Sequence, residues 1–263
     1  MKKPDRRYWA AIGERWAGTS QGLLWRRHCD AVSARLVERW LPRSTTARLL
    51  KTDLFDEALT HGLESQLRDR AELVVGLDLS PAVAKEAAVR CPTLRCLRAD
   101  VRRLPFADAS FDVVVSLSTL DHFESEEELV LSLSELSRVM QASGLLLLTM
   151  DNPGNPMVAL RNFLPFAWLN RLGVVPYFVG ATAGPHKLET LLKAADFVVM
   201  DTTSVLHCLR VLAVPACRLI EWGALRSLQK GLLRLLLATE RFARLPTHPL
   251  TGHYLAVLAR KAG

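Results

Sequence analysis

The run ELVVGLDLSPAVAKEAAVRC, residues 72–91, begins as a short apolar strand, stops on Asp78 and turns at once into a helix. Ser80 stands where an N-cap accepts free helix amides. Pro81 follows in the first turn, where its fixed φ suits a helix and its missing N–H costs nothing. Polar residues do not alternate through LVVGL, so this strand has no water-facing side. That is the pattern of a parallel sheet covered on both faces. Asp78 closes the strand at its carboxyl end, where open α/β sheets bind ligands and where an acid can accept both hydroxyls of a ribose.

The same rhythm extends in both directions. ARLLKTD (47–53), LRCLRAD (94–100), FDVVVSLS (111–118) and GLLLLTMD (144–151) are further strands of this kind. ESEEELVLSLSELSRVM (124–140) is a helix with acids in its first turn and Arg138 in its last, matching the helix dipole. After an interruption, HKLETLLKAA (186–195) reads as a helix, while DFVVMDTTSVLH (196–207) and GHYLAVLAR (252–260) complete seven strands. The expected fold is α/β: a doubly wound, mostly parallel seven-stranded sheet.

Four regions follow from this pattern. Residues 1–44, with Trp9, Trp16, Trp25 and Trp40, are expected to form an N-terminal helical cap, and 45–150 the ligand-binding core. Residues 151–185 are rich in Pro, Gly, Phe and Leu and read as an inserted lid; 186–263 return to the core. Within the last part, roughly 217 to 243 reads as one helix, LIEWGALRSLQKGLLRLLLATERFARL at its fullest extent (219–245). Cationic and leucine-rich, it suits either a membrane surface or a helix that is core on one side and solvated on the other.

Composition narrows the functional classes. The chain has 263 residues, 49% of them hydrophobic, enough for a sizeable core. Lys and Arg number 34 against 27 Asp and Glu, a net +7, but the arginines are scattered and aromatics are 7%. No block of like charge marks a nucleic-acid-binding tail, so a nucleic-acid partner is not expected. Cys29, Cys91, Cys96, Cys208 and Cys217 form no CxxC pair and no metal-like spacing with His, so no metal is expected. The opening MKKPDRRYWAAIGERW has no apolar run after its charges, and nowhere is there an apolar stretch long enough to span a bilayer. Reduced thiols and a cytoplasmic location are the expectation.

Three blocks in order, GLDLSPAV (76–83), LRADVRRLPFADASFDVVVSLSTLDHF (97–123) and LSELSRVMQASGLLLLTMDNP (133–153), together resemble the class I S-adenosylmethionine-dependent methyltransferases. The resemblance is strongest to the branch acting on small molecules and lipids, and it covers about residues 45 to 152. It implies the Rossmann-like methyltransferase fold and S-adenosylmethionine as cofactor. It places Asp78 on the ribose, Leu79 and Val83 by the adenine, and Asp100 on the adenine amino group with Val101 beside it. Ser116, Leu117 and Ser118 would run past the methionine part, and His122 would face the active site.

The family's first motif, an acid followed by Gly-x-Gly-x-Gly, is missing. Lys51 takes the acid's place and TDLFDEA the glycines' place. Glycine there lets backbone approach the ligand and adopt positive φ; Leu54 and Phe55 require another path. Asp53 and Asp56 are the candidates to meet the cofactor's ammonium group. The same carboxylates argue against a dinucleotide, whose pyrophosphate needs glycine amides at a helix N-terminus.

Methyl transfer from a sulfonium depends on in-line positioning, and a base helps when the acceptor must lose a proton. His122 and Asp121 are the candidate bases; His186 and His207 read as structural. From the insert, Asn152, Asn155, Phe166 and Tyr177 are the candidate acceptor contacts. The apolar stretches NFLPFAWL and VVPYFVG suit a quinone, an isoprenoid or fatty chain, or a polyketide-like ring, though they would equally pack the lid or a homodimer interface. The expected activity is methyl transfer to an O or C atom of a small, fairly apolar acceptor. The alternative is a catalytically inactive binding or scaffold protein. SLSTLD stands where nucleic-acid amino methylases carry Asn-Pro-Pro-Tyr, which disfavours that class.

Overall fold

The computed structural model describes residues 6–16, 22–43, 46–173, 175–223 and 226–263. Two helices come first, α1 (Arg6–Trp16) and α2 (Leu23–Trp40), followed by β1 (Thr46–Lys51), α3 (Phe55–Leu59), α4 (Glu64–Arg68), β2 (Ala71–Asp78) and α5 (Pro81–Arg90). The middle of the chain forms β3 (Arg95–Arg98), β4 (Phe111–Leu117), α6 (Glu126–Val139), β5 (Met140–Asp151), α7 (Pro156–Phe163) and α8 (Phe166–Arg171). The last part contains α9 (Pro185–Ala194), β6 (Phe197–Val205), α10 (Arg210–Trp222), α11 (Arg226–Thr239), α12 (His248–Thr251) and β7 (Tyr254–Lys261), with 3-10 turns at Leu120–His122 and Glu240–Arg244.

All seven expected strands form one sheet in the order β3-β2-β1-β4-β5-β7-β6. Every pairing is parallel except those of β7, which runs antiparallel to both β5 and β6. Period-two geometry divides the strand side chains between two cores. Leu49, Val74, Val113 and Leu147 face α2, α5, α10 and α11 on one side; Leu50, Val75, Val114 and Leu146 face α6 and α9 on the other. Ser80 caps α5, accepting from Val83 N at 3.5 Å, and Ser125 caps α6.

Two expectations are corrected. The helical region expected as a cap is in part core, because α2 buries Leu24, Val32, Leu36 and Val37 against one face of the sheet. The first helix, α1, packs on α5; residues 1–5, 17–21 and 44 lie outside the described residues. The single helix expected over 217–243 is two helices. The first, α10, ends at Gly223, whose N–H donates to Leu219 O, and residues 224–225 lie outside the described residues. All five cysteines are free. No described helix is long and apolar enough to cross a membrane.

Candidate active site

A cavity enclosing about 1330 Å³, open solvent at its mouth included, runs along the carboxyl ends of the strands. Its wall follows the sheet order. Ala99, Asp100 and Val101 line it beyond β3; Asp78, Leu79, Ser80 and Val83 beyond β2; Thr52 and Asp53 beyond β1; Leu117, Ser118 and Thr119 beyond β4. Thr149 of β5, Tyr254 of β7, Val205 of β6 and Leu206 just beyond it close the far end. Ser118 (φ 51°) and Leu206 (φ 58°) hold left-handed backbone at this wall, the kind of local strain that concentrates at functional sites.

The glycine-free turn solves its steric problem from beneath. Leu54 points away from the cavity into the core, fully buried, and lies on Gly76 of β2. A Cβ at position 76 would stand 2.4 Å from Leu54 Cδ2, so glycine is needed in the strand instead of the turn. Leu54 N donates to Asp78 Oδ2 at 3.2 Å and Ser80 N to Asp78 Oδ1 at 2.8 Å, tying the turn to the end of β2. Burial raises the Asp78 pKa to about 6 despite those two amides.

Lys51 is buried under the turn. Its Nζ donates to Glu57 Oε2 and to Asp53 O, both at 2.8 Å, and lies 3.2 Å from Asp53 Oδ1. Burial works against the ammonium, but Asp53 and Glu57 together outweigh it and hold its pKa above the ordinary lysine value. Asp53 Oδ2 is buried without a hydrogen-bond partner. An unpartnered carboxylate oxygen at the wall of a cavity is a fitting seat for a cation. Asp56 also lines the cavity, but its carboxylate is engaged by Arg26 at 2.9 Å, whose guanidinium lies over Phe55. Asp100 is gripped by Arg102, Nε to Oδ1 at 2.9 Å and Nη2 to Oδ2 at 2.8 Å.

His122 lines the cavity among aromatic rings, 4.9 Å from Trp9 and 5.4 Å from Tyr177 between centroids. Its Nδ1 is 3.0 Å from Phe178 O; a carbonyl only accepts, so Nδ1 carries the proton and Nε2 is free to take one. Asp121 is buried behind it and does not line the cavity. Its Oδ2 accepts from Ser118 Oγ and Asp151 N, and its Oδ1, otherwise unpartnered, lies 4.0 Å from His122 Nε2.

Several expected contacts have other duties. Asn152 Nδ2 donates to Pro249 O and Gly252 O, while Asn155 caps α7 and donates to Thr251 O and Gly252 O. Both amides thus join the turn after β5 to the turn before β7, and neither lines the cavity. Phe166 packs edge-on against Phe178, and among the described residues of the 151–185 insert only Tyr177 lines the cavity. Ser116 is buried beneath it and accepts from Thr52 Oγ1 at 2.9 Å. His207 bonds Thr251 and Ser204 O, a structural role. Outside the cavity, His61, Glu64 and Cys91 bring one potential ligand atom each within 4.8 Å of one another, a grouping their sequence spacing does not show.

Sequence reasoning missed the contribution of α2, which supplies Arg26, Cys29, Val32, Ser33 and Leu36, and that of Tyr254. The amino-terminal helix α1 adds Trp9, Ile12 and Gly13 to the wall, and Tyr8 Oη accepts from Phe178 N at 2.8 Å.

Comparisons agree with this architecture. Residues 58–148 match the family described as Methyltransferase domain. A Mycolicibacterium smegmatis protein named "Probable S-adenosylmethionine-dependent methyltransferase" is 27% identical over 212 residues, 79% of this chain and 74% of that protein. The demethylmenaquinone methyltransferase of Thermus thermophilus is 30% identical over 184 residues, 61% of this chain and 82% of that one. Among solved structures, a SAM-dependent methyltransferase of Thermotoga maritima superposes with a TM-score of 0.58 over 97% of both chains, at 15% identity. Sequence, sheet order and cavity converge: the chain belongs to the class I S-adenosylmethionine-dependent methyltransferases and is an enzyme of that class, with S-adenosylmethionine as its cofactor.

Proposed function

We propose that the enzyme methylates an O or C atom of a small, fairly apolar acceptor held at the β5–β7–β6 end of the cavity. The observation that carries this is the division of the wall. Acids cluster at the β3–β2–β1 end, while Cys29, Val32, Leu36, Val205 and Leu206 line the other with few polar groups. The named relative from Thermus thermophilus, a demethylmenaquinone methyltransferase, supports a ring acceptor of this kind.

In this reading Asp78 takes the ribose, Leu79, Val83 and Val101 flank the adenine beside Asp100, and Leu117 and Ser118 border the methionine part. Asp53 receives the ammonium through its spare oxygen. S-adenosylmethionine, when bound, supplies an electrophilic methyl group on a sulfonium. The chain supplies position and, for a hydroxyl acceptor, a base: His122 takes the proton at Nε2. Asp121 is its positioning partner, with an oxygen near enough to favour the resulting imidazolium. Tyr177 and Tyr254 orient the acceptor. Trp9 and Tyr8 of α1 close the wall and exclude water.

The test is methyl transfer to a panel of quinols, prenyl and fatty phenols, an amine series and RNA, for wild type and His122→Asn. Transfer confined to the apolar acceptors is expected. The variant should lose about 10²–10⁴ in kcat toward a hydroxyl with S-adenosylhomocysteine affinity unchanged. Preferential transfer to amines or RNA would sink the apolar-acceptor reading, and an unimpaired variant would remove the base.

A further inference from the structure

The outer surface of the carboxyl-terminal helices does not serve the cavity, yet it is built in a particular way. Leu212, Leu219 and Trp222 lie seven and ten residues apart on one side of α10, and Leu228 and Leu235 seven apart on α11. All five are turned to solvent; Trp222 is 88% exposed and Leu219 67%. Phe242 of the following turn is exposed as well. Both helices pack on α2 and on each other, which groups them at one side of the molecule.

Charge on this side is mostly positive. Residues 211–250 contain Arg218, Arg226, Lys230, Arg234, Arg241 and Arg244 against two acids, Glu221 and Glu240. Both carboxylates are turned inward. Glu221 accepts from Gly22 N and Leu24 N, and Glu240, the one acid lining the groove described next, accepts from Leu206 N and His207 N and faces Arg35. Arg234, Arg241 and Arg244 join Arg35 and Arg39 of α2 around a groove of about 1220 Å³, open solvent included. Arg39 is shared with Asp201. Val32, Leu36 and Val205 line both this groove and the apolar end of the catalytic cavity, so the basic face adjoins the acceptor end.

We propose that this face docks the enzyme on an anionic lipid bilayer, with the arginines on headgroup phosphates and Trp222 and the leucines among the upper acyl chains. Exposed apolar side chains interleaved with cations in excess over acids are the pattern such a surface selects. An interfacial tryptophan is suited to the headgroup level. The proposal does not depend on the acceptor's identity, because its readout is vesicle binding and not methyl transfer.

The experiment is co-sedimentation of the full chain with vesicles of phosphatidylcholine alone and of phosphatidylcholine with phosphatidylglycerol. Binding is expected only to the second, and it should weaken as salt rises. The triple variant Arg234→Glu, Arg241→Glu, Arg244→Glu should lose about a hundredfold or more in partitioning. Trp222→Ser should also weaken it, and both should keep wild-type S-adenosylhomocysteine affinity, which confirms folding. Equal binding to both vesicles, no binding by wild type, or an unaffected triple variant would overturn the proposal. So would light scattering that shows a dimer dissociated by Trp222→Ser, since a second copy would then cover this face.

Discussion

Replacing Gly76 with alanine should weaken a site that the new methyl group does not touch. Gly76 has no positive φ, so its backbone suits alanine, and restricting the unfolded chain would by itself add about 0.5–1 kcal/mol of stability. The methyl group, however, meets Leu54 Cδ2 at 2.4 Å and Cγ at 3.1 Å in a core where Leu54 is fully buried. Overpacking of this kind costs about 1–3 kcal/mol, so a net loss of about 1–2 kcal/mol is expected. For a chain of this size that is a fall in Tm of about 2–8 °C. The displaced leucine carries with it the amide that holds Asp78 Oδ2, so affinity for S-adenosylhomocysteine should fall too. Thermal unfolding and calorimetric binding measure the two effects. Leu54→Ala alone should cost about 2–5 kcal/mol through the space it leaves, and in the double variant the methyl group added at position 76 grows into that space. The two changes should therefore cost less together than the sum of the singles, by at least about 0.5 kcal/mol. A Gly76→Ala protein with wild-type Tm and affinity, or strictly additive singles, would refute the idea that the strand glycine replaces those of the turn.

Two further outcomes follow from the buried charges. Lys51→Met leaves Asp53 and Glu57 without their shared cation and should destabilise by about 3–5 kcal/mol in denaturant unfolding, with much of that restored by adding Glu57→Leu. Asp78, raised to about 6 by burial, is the better acceptor when ionised, so S-adenosylhomocysteine affinity should fall as pH drops through about 6, by up to about tenfold per unit. Its effect on the unliganded fold has the opposite sign: stability from the raised pKa is complete below the unfolded value of about 3.8 and is lost as pH rises through about 6. Titration calorimetry across pH 6 with Asp78→Asn, whose binding profile should be flat, checks the assignment.

The strands were legible because each is a short apolar run ended by an acid or a turn, and two-sided burial leaves no other pattern. Gly76 also left a signal, since a lone glycine inside a strand often marks a close approach, but what approaches it is visible only in three dimensions. Asn152 and Asn155 show why site residues were harder to read. A polar side chain at a strand's end looks the same in sequence whether it meets a ligand or a backbone carbonyl, and here the carbonyls lie about a hundred residues away, at Pro249–Gly252. Likewise α2 reads as an ordinary amphipathic helix. That its Arg26, Cys29 and Ser33 reach the cavity depends on how it crosses the sheet, which periodicity does not encode.

A lysine where the family keeps an acid looks at first like a reversal of charge at the turn after β1. The cluster as a whole says otherwise. Lys51 is one cation between two carboxylates, Asp53 and Glu57, so the group of three keeps a formal charge of −1. Glu57 is fully buried and lies on the far side of the ammonium, where it also accepts from Leu63 N. Lys51 and Glu57 therefore form a neutral prop under the turn, and Asp53, two residues after Lys51, is the surplus acid with an oxygen to spare. The turn's rigidity, elsewhere a matter of glycine backbone, comes here from that prop, from Leu54 on Gly76 and from the amide of Leu54 on Asp78. A site can lose its motif and keep its chemistry when the charge and the steric room are supplied by neighbours in space.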